Sequence, residues 1–165
     1  MGIDRSFGRA FFKAELAAGT VLPTKGTVFL SLADRDKPAG LVVASRLRAL
    51  GFGVAATTGT AAYLAKFGLA VDQVVGKVSE GSAVTAVELI ASGEVCFVIN
   101  TPQGRGGRTD GEAIRKAANV HRVSSVTTVE AALAAVTGMA EQSDGPLEVM
   151  SLQEHHGRER LRVAD

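Results

Sequence analysis

The sequence predicts an α/β domain: a parallel sheet with helices packed on both of its faces. Three observations predict it. Short apolar runs rich in strand formers alternate with longer stretches whose apolar residues recur at helical spacing. Glycines stand where several of those helical stretches should stop, at Gly51, Gly68 and Gly93. The composition, 46% hydrophobic and 21% charged over 165 residues, suits one water-soluble domain with a sizeable core.

The elements follow in order. Residues 4–19 carry Phe7, Phe11, Phe12 and Leu16 on one helical stripe, ahead of the first strand. That helix either caps this domain or ends something upstream. Thr27 to Leu32 reads as a strand. After Asp34-Arg35-Asp36-Lys37-Pro38 comes a helix with Leu41, Ala44, Leu47 and Leu50 on one side. Val54-Ala55-Ala56 is a short strand running into Thr57-Thr58-Gly59-Thr60, and a helix is expected from Ala61 to Phe67. Val71 to Val75 is a brief strand, and Val84, Val87 and Ile90 mark the next helix. Val95 to Ile99 is the most apolar strand. A Gly/Arg loop, Gly104 to Arg108, leads to a helix with Ile114, Ala117 and Ala118. Val123 to Val126 is the last core strand, followed by a helix from Val129 to Met139. Leu147 to Leu152 is expected as an edge strand, and the end, from Gly157, is highly charged. Strands alternating with helices imply a parallel sheet with right-handed crossovers.

Several function classes recede on composition. No apolar run reaches the roughly 18–20 residues of a membrane helix. The N-terminus lacks the basic-then-apolar pattern of a signal peptide. A net charge of +1 gives no global field favouring nucleic acid or an anionic membrane. The lone Cys96 cannot form an internal disulfide and reads as a core filler. A cytoplasmic protein fits all of this. His155 and His156 have no Cys or acidic partner at metal-ligand spacing, and no Ser/His/Asp arrangement is recognisable, so neither a metal nor a catalytic residue is assigned.

Ligands of open parallel sheets bind outside the carboxyl ends of the strands. That rule selects the loops after Leu32, Ala56, Ile99 and Val126. Thr57-Thr58-Gly59-Thr60 follows a strand and opens a helix, where backbone N–H groups and the helix dipole favour an anion. It reads either as a phosphate site or as an ordinary threonine cap. Lys37 lies on the same rim, and Lys77, in Gly76-Lys77-Val78-Ser79-Glu80-Gly81, has the same character. Each is either a phosphate partner or a solvated charge, and their company with the threonines favours the first. Asn100-Thr101-Pro102-Gln103-Gly104 leaves the most apolar strand with groups able to read a base or sugar, or simply to turn. Arg105 and Arg108 either clamp an anion or are solvated.

The ordered set Gly51-Phe52, Ala56-Thr57-Thr58-Gly59-Thr60, Lys77-Val78-Ser79-Glu80-Gly81 and Val98-Ile99-Asn100-Thr101-Pro102 resembles the methylglyoxal-synthase-like domain family. Within that family the chain is more similar to the C-terminal allosteric domains of carbamoyl phosphate synthase large chains. Ser6-Phe7-Gly8-Arg9-Ala10-Phe11, Ile114-Arg115-Lys116-Ala117-Ala118, Thr127-Thr128 and Val149-Met150-Ser151-Leu152-Gln153-Glu154 carry that closer likeness. The resemblance implies a five-stranded, Rossmann-like three-layer sandwich. It implies residues 1–22 as a connector helix from a catalytic body, 23–140 as the regulatory domain, and 141–165 as a terminal strand and charged tail.

The resemblance also implies UMP or IMP as an effector. Lys37, Thr57, Thr58, Gly59, Thr60, Lys77, Asn100 and Thr101 are the implied contacts. A hydroxyl residue expected two after the Asn is Pro102 here. On the side of an ornithine signal, Ser125 and Val126 stand where Tyr and Asp are usual, so Thr127 alone carries over. The implied parent is a glutamine- and ATP-dependent ligase serving arginine and pyrimidine synthesis, with ATP and Mg or Mn held elsewhere and no cofactor in this stretch. Its implied partners are the rest of the large chain and a glutaminase small chain; self-association is left open, and neither nucleic acid nor membrane is expected.

The rival is a free-standing methylglyoxal synthase, which needs a carboxylate base aimed at a triose phosphate. The place of that base reads Gly81-Ser82-Ala83, and the place of a second acid reads Thr101-Pro102-Gln103. Asp72-Gln73 mimics the catalytic dipeptide but precedes the lysine motif. A phosphate site without its base argues for binding rather than catalysis.

Overall fold

The computed structural model describes residues 1–76, 85–101, 108–142, 145, 147 and 149–156. Five parallel strands form one sheet: β1 (Thr27–Ser31), β2 (Gly53–Thr57), β3 (Gln73–Val75), β4 (Val95–Asn100) and β5 (Ser124–Val126). Their order is β3-β2-β1-β4-β5. The chain builds outward from β1 to β3 on one side, then crosses back to place β4 on the other. The point of reversal lies between β1 and β4, and there the crevice at the carboxyl ends opens.

The helices are α1 (Phe7–Ala17), α2 (Lys37–Ala49), α3 (Thr58–Lys66), α4 (Ala86–Ala91), α5 (Arg108–Val120) and α6 (Val129–Glu141). On one face Val28, Leu30, Val54, Phe97 and Ile99 pack with Val43, Leu47, Leu64 and Val136, under α2, α3 and α6. On the other, Phe29, Ala55 and Val98 pack with Leu89, Ile90, Ile114 and Ala118, under α4 and α5. Alternate residues of one strand thus face opposite cores, which is why β1 and β4 read as continuous apolar runs. The parallel sheet with helices on both faces, expected from the alternation of elements, is the observed fold.

Local chemistry sets the ends. Gly51 follows the C-cap of α2 with φ +83°, and the Phe52 and Gly51 amides donate to Leu47 and Arg48 carbonyls. Those two bonds close the helix as a Schellman turn, a conformation glycine adopts freely. The helix expected from Val84 starts at Ala86, because Thr85 and Glu88 form a reciprocal capping box.

The helix expected from Ala61 starts earlier, at Thr58. Thr58-Gly59-Thr60 is therefore the first turn of α3, and not a loop before it. The expected edge strand over 147–152 is corrected: its described residues are in no strand, and 152–156 turn helically. Ser151 caps that turn, accepting the Glu154 amide while the Glu154 carboxylate accepts the Ser151 amide.

The N-terminal helix is tied into this fold. Gly8 and Gly138 let α1 and α6 approach so closely that a Cβ on Gly138 would lie 2.9 Å from Leu22 and 3.4 Å from the Gly8 carbonyl oxygen. Glu141 closes the junction by accepting the Ser6 hydroxyl and the Arg9 amide at the start of α1. Burial pushes the Asp4 carboxyl up, but Lys13, the Arg5 amide and Arg9 outweigh it and hold the group below its ordinary value. Among the described residues no helix is long and apolar enough to cross a membrane. Cys96 is half-buried, with its thiol donating to the Thr27 carbonyl and its pKa raised by burial.

Candidate functional site

Backbone groups beyond the last paired residue of β1 must find partners. Two buried hydroxyls supply them. The Leu32 amide donates to Thr60 Oγ1 at 3.0 Å, and the Ala33 amide to Thr101 Oγ1 at 2.8 Å. Thr60 and Thr101 are 1% and 3% exposed. The Thr101 amide also donates to the Ser31 carbonyl. The segment leaving β1 is thus suspended between the end of β4 and the first turn of α3.

That suspended segment forms the short 3-10 turn Asp34–Asp36 and enters α2 at Lys37. A lysine at the first residue of a helix stands at the positive end of the dipole, where a cation is disfavoured unless an anion joins it. Its ammonium contacts Asp34 Oδ1 at 2.6 Å and lies 3.6 Å from where a Cβ on Gly59 would be. The Lys37 side chain is 14% exposed. The N-termini of α2 and α3 and the Lys37 charge converge here. Thr58 and Gly59 are exposed, and the first amides of a helix have no acceptor within it. This arrangement can hold a phosphate.

The cap reading of Thr57 is answered in part. Thr57 occupies the N-cap position of α3, but its hydroxyl caps nothing; it donates to Thr60 Oγ1 at 3.0 Å. Asn100, 2% exposed, donates from its side-chain amide to the Gly111 carbonyl at the start of α5. Lys37, Thr57, Thr58, Gly59, Thr60, Asn100 and Thr101 thus lie together at the carboxyl ends of β1, β2 and β4. Lys77 and Arg105 lie outside the described residues, as does the Arg108 side chain.

Thr127 is exposed at the end of the edge strand β5, three strand spacings from β2, or about 14 Å across the sheet. It stands beside the carboxyl end of β4 and away from Lys37 and the first turn of α3. A separate cavity of about 250 Å³ lies under α1 beside β5, with Phe97, Leu22 and Ala135 below and Glu15, Asn119, Ser124 and Ser125 around it. Thr127 is not among its lining residues.

Two residues of the rim escaped sequence reasoning as members of it. Arg115 folds back along α5 so that Nη1 lies 3.4 Å from the point a Cβ on Gly111 would occupy, where Asn100 Nδ2 is equally close. The signal was the i, i+4 spacing of Gly111 and Arg115 on one helix face. Asp34 was visible as a neighbour of Lys37 in sequence, but not as its partner.

Asp72 lies at the opposite end of the sheet, just before β3. Its carboxylate accepts the Val54 amide at 2.7 Å and the Arg48 guanidinium at 2.9 Å. The Val54 amide first, and Arg48 with it, hold its pKa below the ordinary aspartate value. It is fixed away from the phosphate rim and is no base for a ligand there. Among the described residues no three His, Cys, Asp or Glu side chains gather to hold a metal.

Comparison with known proteins agrees with this architecture. Residues 40–127 match the family model of the MGS-like domain. The chain is 47% identical over 157 residues to a carbamoyl phosphate synthase large chain, C-terminal section, of Methanopyrus kandleri, covering 94% of this chain and 29% of that protein. It is 43% identical over 157 residues to the large chain of Synechocystis sp., covering 95% of this chain and 14% of that one. A carbamoyl phosphate synthase large chain of Methanosarcina barkeri is also 43% identical over 157 residues, with 94% of this chain and 39% of the relative aligned. The chain therefore spans well under half the length of these relatives.

Proposed function

We propose, given that this chain belongs to the family of MGS-like domains, that it is the regulatory section of a carbamoyl phosphate synthase large chain and binds a nucleoside monophosphate, UMP or IMP, at the carboxyl rim of its sheet. One observation carries the reading. The Lys37 ammonium lies over Gly59 at the entrance to α3, while the carboxylate that mimics a catalytic base, Asp72, is locked at the far end of the sheet. A phosphate group fits between Lys37 and the first turn of α3, with Thr58 adding a hydroxyl donor; Lys77 is the further cation that the family resemblance implies. Asn100 and Thr101 stand on the β4 side, where the sugar or base would lie.

In this reading the chemistry happens elsewhere in the large chain. Those parts would form carbamoyl phosphate from glutamine-derived nitrogen and ATP, with Mg or Mn at the nucleotide and a glutaminase small chain as partner. No residue of this section takes part in bond making. Thr127, on the edge strand, belongs to a second surface that faces any ornithine signal from the rest of the enzyme.

The test is binding followed by heat. A ligand that binds only the folded state raises Tm, by RT ln(1 + [L]/Kd) in free energy. UMP or IMP at millimolar concentration should raise Tm, and inorganic phosphate should compete. Absence of any shift or calorimetric binding with UMP, IMP and phosphate refutes the reading. Methylglyoxal formed from dihydroxyacetone phosphate by the purified chain would replace it with the enzymatic one.

A further inference from the structure

A lysine at the positive end of a helix dipole needs an anion beside it. Lys37 has one. Asp34 Oδ1 sits 2.6 Å from the ammonium, three residues earlier in the chain, on the short turn that leads into α2. The two side chains are placed very differently: the Lys37 side chain is 14% exposed and that of Asp34 is 85% exposed. The lysine is held down over Gly59, at the positive ends of α2 and α3. The carboxylate reaches it from solvent.

We propose that Asp34 is a built-in competitor that sets the affinity of the phosphate site, occupying Lys37 until a phosphate displaces it. This rests on the phosphate reading of the rim. The sign follows from charge. A phosphate approaching Lys37 meets a carboxylate already bonded to it, and the two anions repel at contact range. The Asp34 side chain is 85% exposed, so water screens its hold on Lys37 and a phosphate can compete with it. Lys37 stays where α2 puts it. The phosphate then gains the ammonium together with the free amides at the start of α3, which one carboxylate on the neighbouring turn does not satisfy. Asp34 thereby weakens binding without closing the site, and shifts the response to higher ligand concentration. An acid that instead held Lys37 ready for the ligand would have the opposite effect, so the two roles separate by sign.

The experiment is a double-mutant cycle read by calorimetry with two probes, UMP and inorganic phosphate, on the whole chain. Asp34→Asn should tighten UMP binding roughly fivefold, about the size of an exposed ion pair's contribution. Asp34→Ala should do the same, so that one variant's misfolding leaves the other. In a Lys37→Ala background the Asp34 substitutions should gain nothing, since the competition is for Lys37 itself; such non-additivity is what contact between the two side chains predicts. Unchanged or weaker binding by both Asp34 variants overturns the proposal, and so does a gain that persists without Lys37. If neither the wild-type chain nor the Asp34 variants bind either probe, the phosphate reading itself falls. If the wild type binds and the Asp34 variants match it, only the role of Asp34 falls.

Discussion

At each end of the sheet an aspartate pairs with a basic side chain, Asp72 with Arg48 and Asp34 with Lys37, and these two pairs do opposite things. At the amino end Asp72 accepts a strand amide and the Arg48 fork at once, and the Arg48 guanidinium also reaches the Ala70 carbonyl. Every partner belongs to the fold, so the pair fastens β3 to β2 and α2. At the carboxyl end Lys37 meets Asp34 across an open rim, beside a glycine and the first turn of a helix. What differs is the backbone around the charges. Strand starts in a parallel sheet need their amides tied down, whereas helix starts leave amides pointing outward. An acid–base pair therefore fastens the fold at one end and stands beside outward-facing helix amides at the other.

Lys37→Ala separates the two ends most sharply. Losing a charge-assisted contact of about 1.5–3 kcal/mol should weaken UMP binding by ten- to a hundredfold, with little change in the unliganded Tm. A comparable loss of Tm in the free protein would show that Lys37 is part of the fold instead.

Thr60→Val and Thr101→Val come next. Each keeps the shape of the side chain but leaves a buried amide of the Leu32-Ala33 segment without its acceptor, at about 1–3 kcal/mol. Thermal denaturation should show a drop of several degrees for each variant, and ligand binding should weaken with it because Lys37 hangs from the same segment. A stable Thr60→Val protein with weakened binding would instead mark Thr60 as a direct ligand contact.

At the other end, Asp72→Asn should cost about 1 kcal/mol or less, since the carboxylate is half-exposed and its ion pair screened. It should leave UMP binding unchanged. The pH dependence has a definite sign. The folded pKa is below the ordinary aspartate value, so this stabilisation is present above about 3.9 and is lost as pH falls through the lower folded value. Acid titrations of stability should therefore be shallower below pH 4 in the Asn variant; identical profiles would show that Asp72 fastens nothing.

Much of this was legible in the sequence. Apolar runs such as Val95 to Ile99 had to be strands covered on both faces, and Gly51 had to close a helix, because each follows from local spacing and backbone freedom. The carboxyl-end rule picked out the loops after Leu32, Ala56 and Ile99 before any chemistry, and the fold ties these three segments to one another. Less was legible where partners are distant in sequence. Thr60 and Thr101 looked like ligand hydroxyls, yet both accept amides from a segment 28 and 68 residues away. The edge strand expected over 147–152 yielded to a capping box at Ser151 and Glu154, a local signal that outweighed strand propensity there.

The sequence by itself determined the α/β class and the family, since periodicity, glycine placement and short ordered motifs are properties of neighbours along the chain. Only the tertiary structure decided what each polar group does. It turned two threonines into anchors, set Asp72 at the wrong end for catalysis, and put Asp34 on Lys37. Hydrogen bonds and ion pairs are made through space, and the crossing of the chain from β3 to β4 fixes which ends meet.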